Sequence, residues 1–186
     1  MGRVLGHTAA SVDLSERTLR RYVGDGFLRA RKVGAQLELP PAEEAYLRSH
    51  HELLKGLRAS FRTERNVRLA ALFGSAATGE DTSESDVDLL VSLREDDFGY
   101  FAGLRRRLAE SLERPVHVVL LEDARRAPAL LADVLSEGRV VIDRDDLWKG
   151  LLADESDIRR AAASDDERLM AQAASAVAAS RARMSA

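Results

Sequence analysis

Apolar residues along this 186-residue chain change rhythm several times, and each change marks an element. Val67, Leu69, Ala70, Ala71, Leu72 and Phe73 make a short apolar run that stops at Gly74, the signature of a buried strand. Val87, Leu89, Leu90 and Val91 predict a second strand, begun by Asp86 and Asp88. Pro115 to Leu121 predicts a third, and Arg139 to Ile142, after Gly138, a fourth. Between them Asp97 to Leu112 has helical spacing, with Phe98, Phe101, Leu104, Leu108 and Leu112 inward, and a further helix is expected near Arg125 to Ser136. This order fits a mixed sheet with helices against it, an α+β fold.

Upstream the pieces are shorter. Gly6 to Val12 predicts a helix, Asp13-Leu14 a turn, and Ser15 to Val23 a second helix capped by Ser15, with Thr18 in its first turn. Ala9, Val12, Leu14, Leu19 and Val23 can meet between the two, and Gly24 to Gly26 ends the second. Phe27 to Val33 and Gln36 to Leu39 predict two strands hinged at Gly34-Ala35. Pro41 then opens a long helix, through about Arg65, whose Leu47, Leu53, Leu54, Leu57 and Phe61 form an apolar stripe. Residues 145–186 are Ala-rich and predict two helices, the second from about Glu155. Its few large side chains (Ile158, Leu169, Met170, Val177) give it order only by docking, and an exposed Trp148 would serve as an anchor. The expected organisation is a head (1–40), a connecting helix (41–66), a central domain (67–144) and a C-terminal helical extension (145–186).

Charge divides the chain the same way. Residues 1–70 carry 13 Lys/Arg against 8 Asp/Glu, whereas residues 71–186 carry 15 against 23, so the first part suits an anionic partner. No cysteine is present, which excludes disulfides and Cys-based zinc sites. No apolar stretch approaches a membrane span and Met1 to Ala10 has no signal-peptide pattern, so a cytoplasmic location without a membrane partner is expected.

The candidate chemistry lies between the first two strands. Gly74 lets the backbone bend sharply, and a helical turn over Ser75 to Thr78 would present unpaired N–H groups and the Ser75 hydroxyl to phosphates. Asp86 and Asp88, two apart, project from one strand face. Paired hard oxygens suit Mg²⁺ or Mn²⁺ that shares its coordination with substrate phosphates. His117, alternating with valines on the third strand, is open to two readings: a half-buried strand histidine, or a cleft residue able to act near neutral pH.

Leu72 to Val91, LFGSAATGEDTSESDVDLLV, resembles the motif of the DNA polymerase beta-like nucleotidyltransferases, and within them the minimal nucleotidyltransferases. The resemblance spans roughly Val67 to Asp143. It implies that Gly74, Ser75, Thr78 and Asp86 bind a nucleoside triphosphate, ATP above all, that Asp86 and Asp88 hold the metal, and that Asp86, Asp88 and His117 form the catalytic set. Two positions depart from the family pattern: Thr78 stands where an arginine is common, and His117 where a third carboxylate is usual. Glu122 and Asp123 are substitutes for that carboxylate, and one of Arg105, Arg106 and Arg107 could replace the missing cation, although such runs are more often solvated surface.

Thr8 to Leu39 is similar to the winged helix-turn-helix DNA-binding domain of the mercury-resistance-regulator (MerR) type, through Ser15, Arg17 to Tyr22 and Gly26 to Leu28. That resemblance implies DNA contacts from Arg17, Thr18, Arg20 and Arg21 on the second helix and from Arg29, Arg31 and Lys32 on the wing. It also implies a homodimer through the following helix, the alternative being that this helix packs on the central domain.

Together the resemblances imply an antitoxin-like protein that transfers AMP to a hydroxyl of a toxin of the HEPN ribonuclease class and binds its own operator. A regulator with an impaired, nucleotide-sensing or interaction-only body is the alternative. Modification of a small molecule such as an aminoglycoside is a third reading, for which no substrate-binding extension is evident.

Overall fold

The computed structural model describes residues 3–12, 14–95 and 97–184, with the side chains of 3, 4, 7, 11, 169 and 171–184 left aside. At the N-terminal end β1 (Arg3–Val4) runs into α1 (Leu5–Ser11), followed by α2 (Glu16–Gly24) and the hairpin β2 (Arg31–Val33) and β3 (Gln36–Leu39). The Ser15 hydroxyl caps α2 by accepting from the Thr18 amide at 3.1 Å. The strand expected from Phe27 begins only at Arg31, because the amides of Phe27 and Leu28 both donate to the Tyr22 carbonyl and close off α2 instead. β1, which the apolar pattern did not signal, pairs with β3 to give the sheet order β1-β3-β2. Of the predicted Asp13-Leu14 turn, Asp13 lies outside the described residues.

Pro41 opens α3 (Pro41–Thr63), as its fixed φ and missing N–H favour. Then follow β4 (Val67–Phe73), α4 (Ser75–Thr78), β5 (Val87–Leu93), α5 (Phe98–Leu112), β6 (Val116–Leu120), α6 (Leu121–Ala124), α7 (Pro128–Glu137), β7 (Arg139–Asp143), α8 (Leu147–Ala153) and α9 (Glu155–Met184). The four longer strands order as β6-β5-β4-β7; β5 and β6 run parallel and the other pairs antiparallel. This is the expected mixed sheet flanked by helices.

Alternation along the strands supplies both faces. Val87, Leu89 and Val91 join α3, α5 and the head's Leu5, Leu19, Phe27 and Leu39 in one apolar cluster. Leu69, Ala71 and Leu90 join Leu121, Leu131, Val134 and Leu151 in the other. The α3 stripe is used up in the first: Leu47, Leu54, Leu57 and Phe61 have no exposed surface, so α3 packs on the sheet and the head shares its core.

Three local expectations fail for physical reasons. The helix near Arg125 to Ser136 divides into α6 and α7, because Pro128 occupies a first-turn position and starts a new helix. Phe98 sits at the start of α5 with 86% of its surface exposed rather than inward. Trp148 is half-buried against the second cluster, so it anchors α8 within the chain. α9 lies along α7, as its weak apolar pattern required. Among the described residues no helix is long and apolar enough to cross a membrane.

Candidate active site

The central strand β4 delivers the chain to Gly74, where φ is +68° and the backbone turns into α4. Phe73 pairs with Asp88 across the β4–β5 ladder, which brings the Asp88 carboxylate against that glycine. A Cβ on residue 74 would sit 2.8 Å from Asp88 Oδ2, so only glycine allows this approach, and its φ favours glycine as well. The amides of Ala77 and Thr78 return to the Gly74 carbonyl at 3.0 and 3.2 Å. The amides of Ser75 and Ala76 are left at the open end of the turn without a backbone acceptor among the described residues.

On the other side of Asp88 the parallel register sets His117 beside it, with His117 Nδ1 3.3 Å from Asp88 Oδ1. Its side chain is 62% exposed, so the half-buried reading of this histidine does not hold. Asp86 is exposed and lies one residue ahead of β5, not within it; the fully buried Val87 separates it from Asp88 and keeps both acids off the α3 face. Gly74, Ser75, Asp88 and His117 therefore follow one another across β4, β5 and β6 at one end of the sheet, with Asp86 in the loop that feeds it.

The other candidates are placed differently. Thr78 folds its hydroxyl back onto the Ser75 carbonyl at 3.1 Å, which tightens the turn and supplies no charge. Arg107 is held by both oxygens of Glu64, at 2.8 and 2.9 Å. Glu64 caps the end of α3 that leads into β4, far along the strand from Gly74, so this arginine does not replace a cation at the turn. Arg106 faces Glu110 on the exposed side of α5. Glu122 and Asp123 belong to α6, where Asp123 pairs with Arg126 in solvent. Among the described residues no three His, Asp or Glu side chains gather into a self-sufficient metal site. The Asp88 carboxylate against Gly74, with Asp86 two residues ahead of it, nevertheless fits a hard cation that completes its shell with phosphate oxygens and water.

In the head, Arg17, Arg20, Arg21, Arg31 and Lys32 are exposed. Arg20 is tied to Glu16 one turn back, Arg31 faces Glu38 at 3.7 Å, and the Thr18 hydroxyl meets that of Ser15 at 2.8 Å. Arg29 stands apart from this group. Its guanidinium donates to the carbonyls of Ser136 and Glu137 at the end of α7, which turns it toward the sheet domain.

A polar cluster behind the turn was not singled out by motif or spacing. His50 Nε2 on α3 lies 2.6 Å from Asp81 Oδ1, and Arg114 binds Asp81 Oδ2 at 2.9 Å together with the carbonyls of Thr82 and Ser85. Burial pushes the Asp81 carboxyl upward, but the hydrogen bonds and charges of His50 and Arg114 outweigh it and hold the group below the usual carboxylate range. Burial likewise keeps the Tyr46 phenol protonated well beyond its ordinary range. Nothing in the sequence marks these residues: His50 falls within the helical pattern of α3, Asp81 in a polar segment, and Arg114 just ahead of Pro115.

Comparison with known proteins agrees with this geometry. Residues 55–147, half of the chain, match the family described as polymerase beta, nucleotidyltransferase. A candidate protein adenylyltransferase of Methanocaldococcus jannaschii is 39% identical over 56 residues, 30% of this chain and 49% of that protein, so the chain spans about half the length of this curated relative. Among solved structures, a toxin–antitoxin complex with AMP-PNP is similar at a TM-score of 0.52 and 20% identity, covering 67% of this chain and 97% of that one. A Shewanella oneidensis structure is similar at 0.50 and 15%, covering 66% and 97%. At these identities the structures speak for the fold. With the glycine-bent turn, the aspartate packed on it and the family match all falling on the same strands, the chain belongs to the polymerase beta nucleotidyltransferase family.

Proposed function

We propose that the chain transfers AMP from ATP to a hydroxyl of a partner protein, a toxin of the HEPN class, and that its head binds DNA. The observation that carries the transfer is the contact of Asp88 with the Gly74 turn, because it sets a carboxylate directly beside the place where a triphosphate meets backbone amides. The Ser75 and Ala76 amides and the Ser75 hydroxyl orient the phosphates. Asp86 and Asp88 would hold Mg²⁺ or Mn²⁺, which when bound neutralises phosphate charge during transfer. The acceptor oxygen bonds to the α-phosphorus as the bond to the bridging oxygen breaks and pyrophosphate departs. Asp88 accepts from His117 Nδ1, so Nε2 is left to take the proton of the acceptor hydroxyl. AMP is favoured because one relative is a candidate adenylyltransferase and one structural neighbour was crystallised with AMP-PNP. A toxin partner is favoured by that neighbour being a toxin–antitoxin complex.

DNA binding is supported by the exposed Arg17, Arg20, Arg21, Arg31 and Lys32 on one small head, with Thr18 at the start of the second helix. Cations in solvent suit phosphate contacts. The α3 stripe is buried, so a second copy that reads a paired half-site would dock through another surface.

A nucleotide-sensing regulator is the second reading, favoured by the neutral, self-bonded Thr78 and by an imidazole where the family pattern has a carboxylate. One experiment separates the two. Labelled ATP, GTP, CTP or UTP is incubated with Mg²⁺ or Mn²⁺, the protein and the product of the adjacent gene. Label on the partner from ATP, lost in Asp88→Asn, supports transfer; retention of nucleotide without label on any protein supports sensing.

A further inference from the structure

The phosphate-side turn has a second end. Tyr46 Oη, on α3, donates to the Ala76 carbonyl at 2.9 Å, and Arg139 Nε, on β7, donates to the Ala77 carbonyl at 2.7 Å. These are carbonyls that a one-turn helix leaves unpaired, and a cation beside them complements the turn's dipole. Arg139 is 3% exposed and holds nothing loosely. Its other nitrogens bind both Glu43 oxygens, at 2.8 and 2.7 Å, and reach the Phe27 carbonyl in the head at 3.3 Å. The guanidinium lies 3.5 Å over the Tyr46 ring, and Tyr46 stacks on His50 at 4.4 Å and 7°. From His50 the chain of contacts passes through Asp81 and Arg114 to the Ser85 carbonyl, the residue before Asp86.

Gly79 leaves room for this arrangement. Its φ is +88°, and a Cβ there would lie 3.1 Å from Tyr46 Cδ2. One run of buried polar groups thus ends on both flanks of the site: behind the turn that faces the phosphates, and behind the loop that carries Asp86.

We propose that Tyr46 and Arg139 are positioning residues for nucleotidyl transfer, holding the Ser75–Thr78 turn from its closed end so that its open amides meet the triphosphate in a fixed place. Because Glu43 and the Phe27 carbonyl hold the same guanidinium, the seat of the turn is set by the connecting helix and the head. The head is therefore a structural part of the nucleotide site as well as a separate reader. This rests on the turn being the phosphate-binding element.

The test uses the full chain with Tyr46→Phe, which keeps the ring stacked and removes one hydrogen bond, and Arg139→Lys, which keeps the charge and loses the fork. Arg107→Met, on α5 where that arginine pairs with Glu64 at the far end of α3, is the control for general destabilisation. Hydrogen exchange of the peptide spanning residues 74–80 is measured without nucleotide, and KM for ATP and kcat with the partner are measured separately.

Both variants are expected to exchange faster in that peptide and to raise KM for ATP by about two- to tenfold, the range set by one or two lost hydrogen bonds. The larger effect belongs to Arg139→Lys, and Arg107→Met lowers the melting temperature without either change. Folded variants with wild-type exchange in that peptide, or an Arg107→Met protein with the same rise, would overturn the inference. Faster exchange together with a wild type that neither binds nor transfers ATP would instead uphold the positioning and overturn the functional reading.

Discussion

The head and the sheet domain use charge in opposite ways. In the sheet domain the decisive charges are buried and fully engaged: Arg139 makes four polar contacts at 3% exposure, and the Asp81 side chain, 4% exposed, is held by His50 and Arg114. In the head most of the arginines stand in solvent, and Arg20, with 55% of its side chain exposed, is tied to a neighbouring glutamate that is 45% exposed. Buried pairs fix geometry, because a lone charge left behind in the core is costly. Exposed ones add little to the fold and can exchange their partners for phosphates. The same residue type thus serves position in one region and, on the proposed function, contact with DNA in the other.

The comparison breaks first at the site itself. Asp88→Asn should lower transfer by roughly 10²–10⁴-fold, since on the proposed function it removes a charge that acts on the reacting groups rather than on the fold. The thermal midpoint should stay close to wild type, because Asp88 is half-exposed and not part of the buried network. A variant of equal activity, measured by label transfer, would remove this carboxylate from the chemistry.

Next comes the buried fork. Arg139→Met leaves Glu43, 7% exposed, without its cation and should cost about 3–5 kcal/mol in chemical denaturation. Adding Glu43→Gln should restore part of that loss, because the stranded charge is then gone. Additive losses in the double variant would show that the two side chains act independently.

Much of this contrast could be read in advance only on one side. The strands of the sheet domain were legible, since each is an apolar run cut off by Gly, Pro or Asp, and the Gly74–Asp88 interval pointed to the site. The N-cap Ser15 and the helix opened by Pro41 followed from local rules. What the sequence withheld depends on register and burial. The pairing of Phe73 with Asp88 and of Asp88 with His117 is a property of the ladder, and nothing in the letters distinguishes Arg139 or His50 from a solvated surface residue. Phe98 shows the converse, an apolar residue at the right phase that the end of a helix leaves in solvent.

Acid should sharpen the comparison further. Asp81 titrates below its ordinary value of 3.8 in the folded chain, so its contribution is complete above about pH 4 and is lost as the pH falls through the lower folded value. Thermal midpoints should therefore be flat near neutrality and fall in strong acid. Asp81→Asn should lower the midpoint at pH 7 and make the acid limb shallower. Glu64, held down chiefly by its hydrogen bond from Arg107, keeps part of that limb in the variant. An unchanged acid limb would mean that the His50–Asp81–Arg114 contact is not held in solution.

The smallest effect on folding belongs to the head. Replacing Arg20 with Ala removes an exposed i,i+4 pair with Glu16, which contributes about 0.3–0.5 kcal/mol at most. The same change should weaken binding to operator DNA and reduce the slope of log K against log salt by about one unit, the mark of one lost phosphate contact. Arg21→Ala should behave alike, since Arg21 is exposed and its guanidinium rests on the Tyr22 ring at 5.9 Å, a contact worth little in solvent. Arg29→Ala should do the reverse, leaving the salt slope in place while loosening the join between the head and α7, because its guanidinium is spent on the Ser136 and Glu137 carbonyls. If Arg29→Ala and Arg20→Ala changed the slope equally, the division between positioning and contacting arginines would fail within the head itself, where the two kinds lie only nine residues apart.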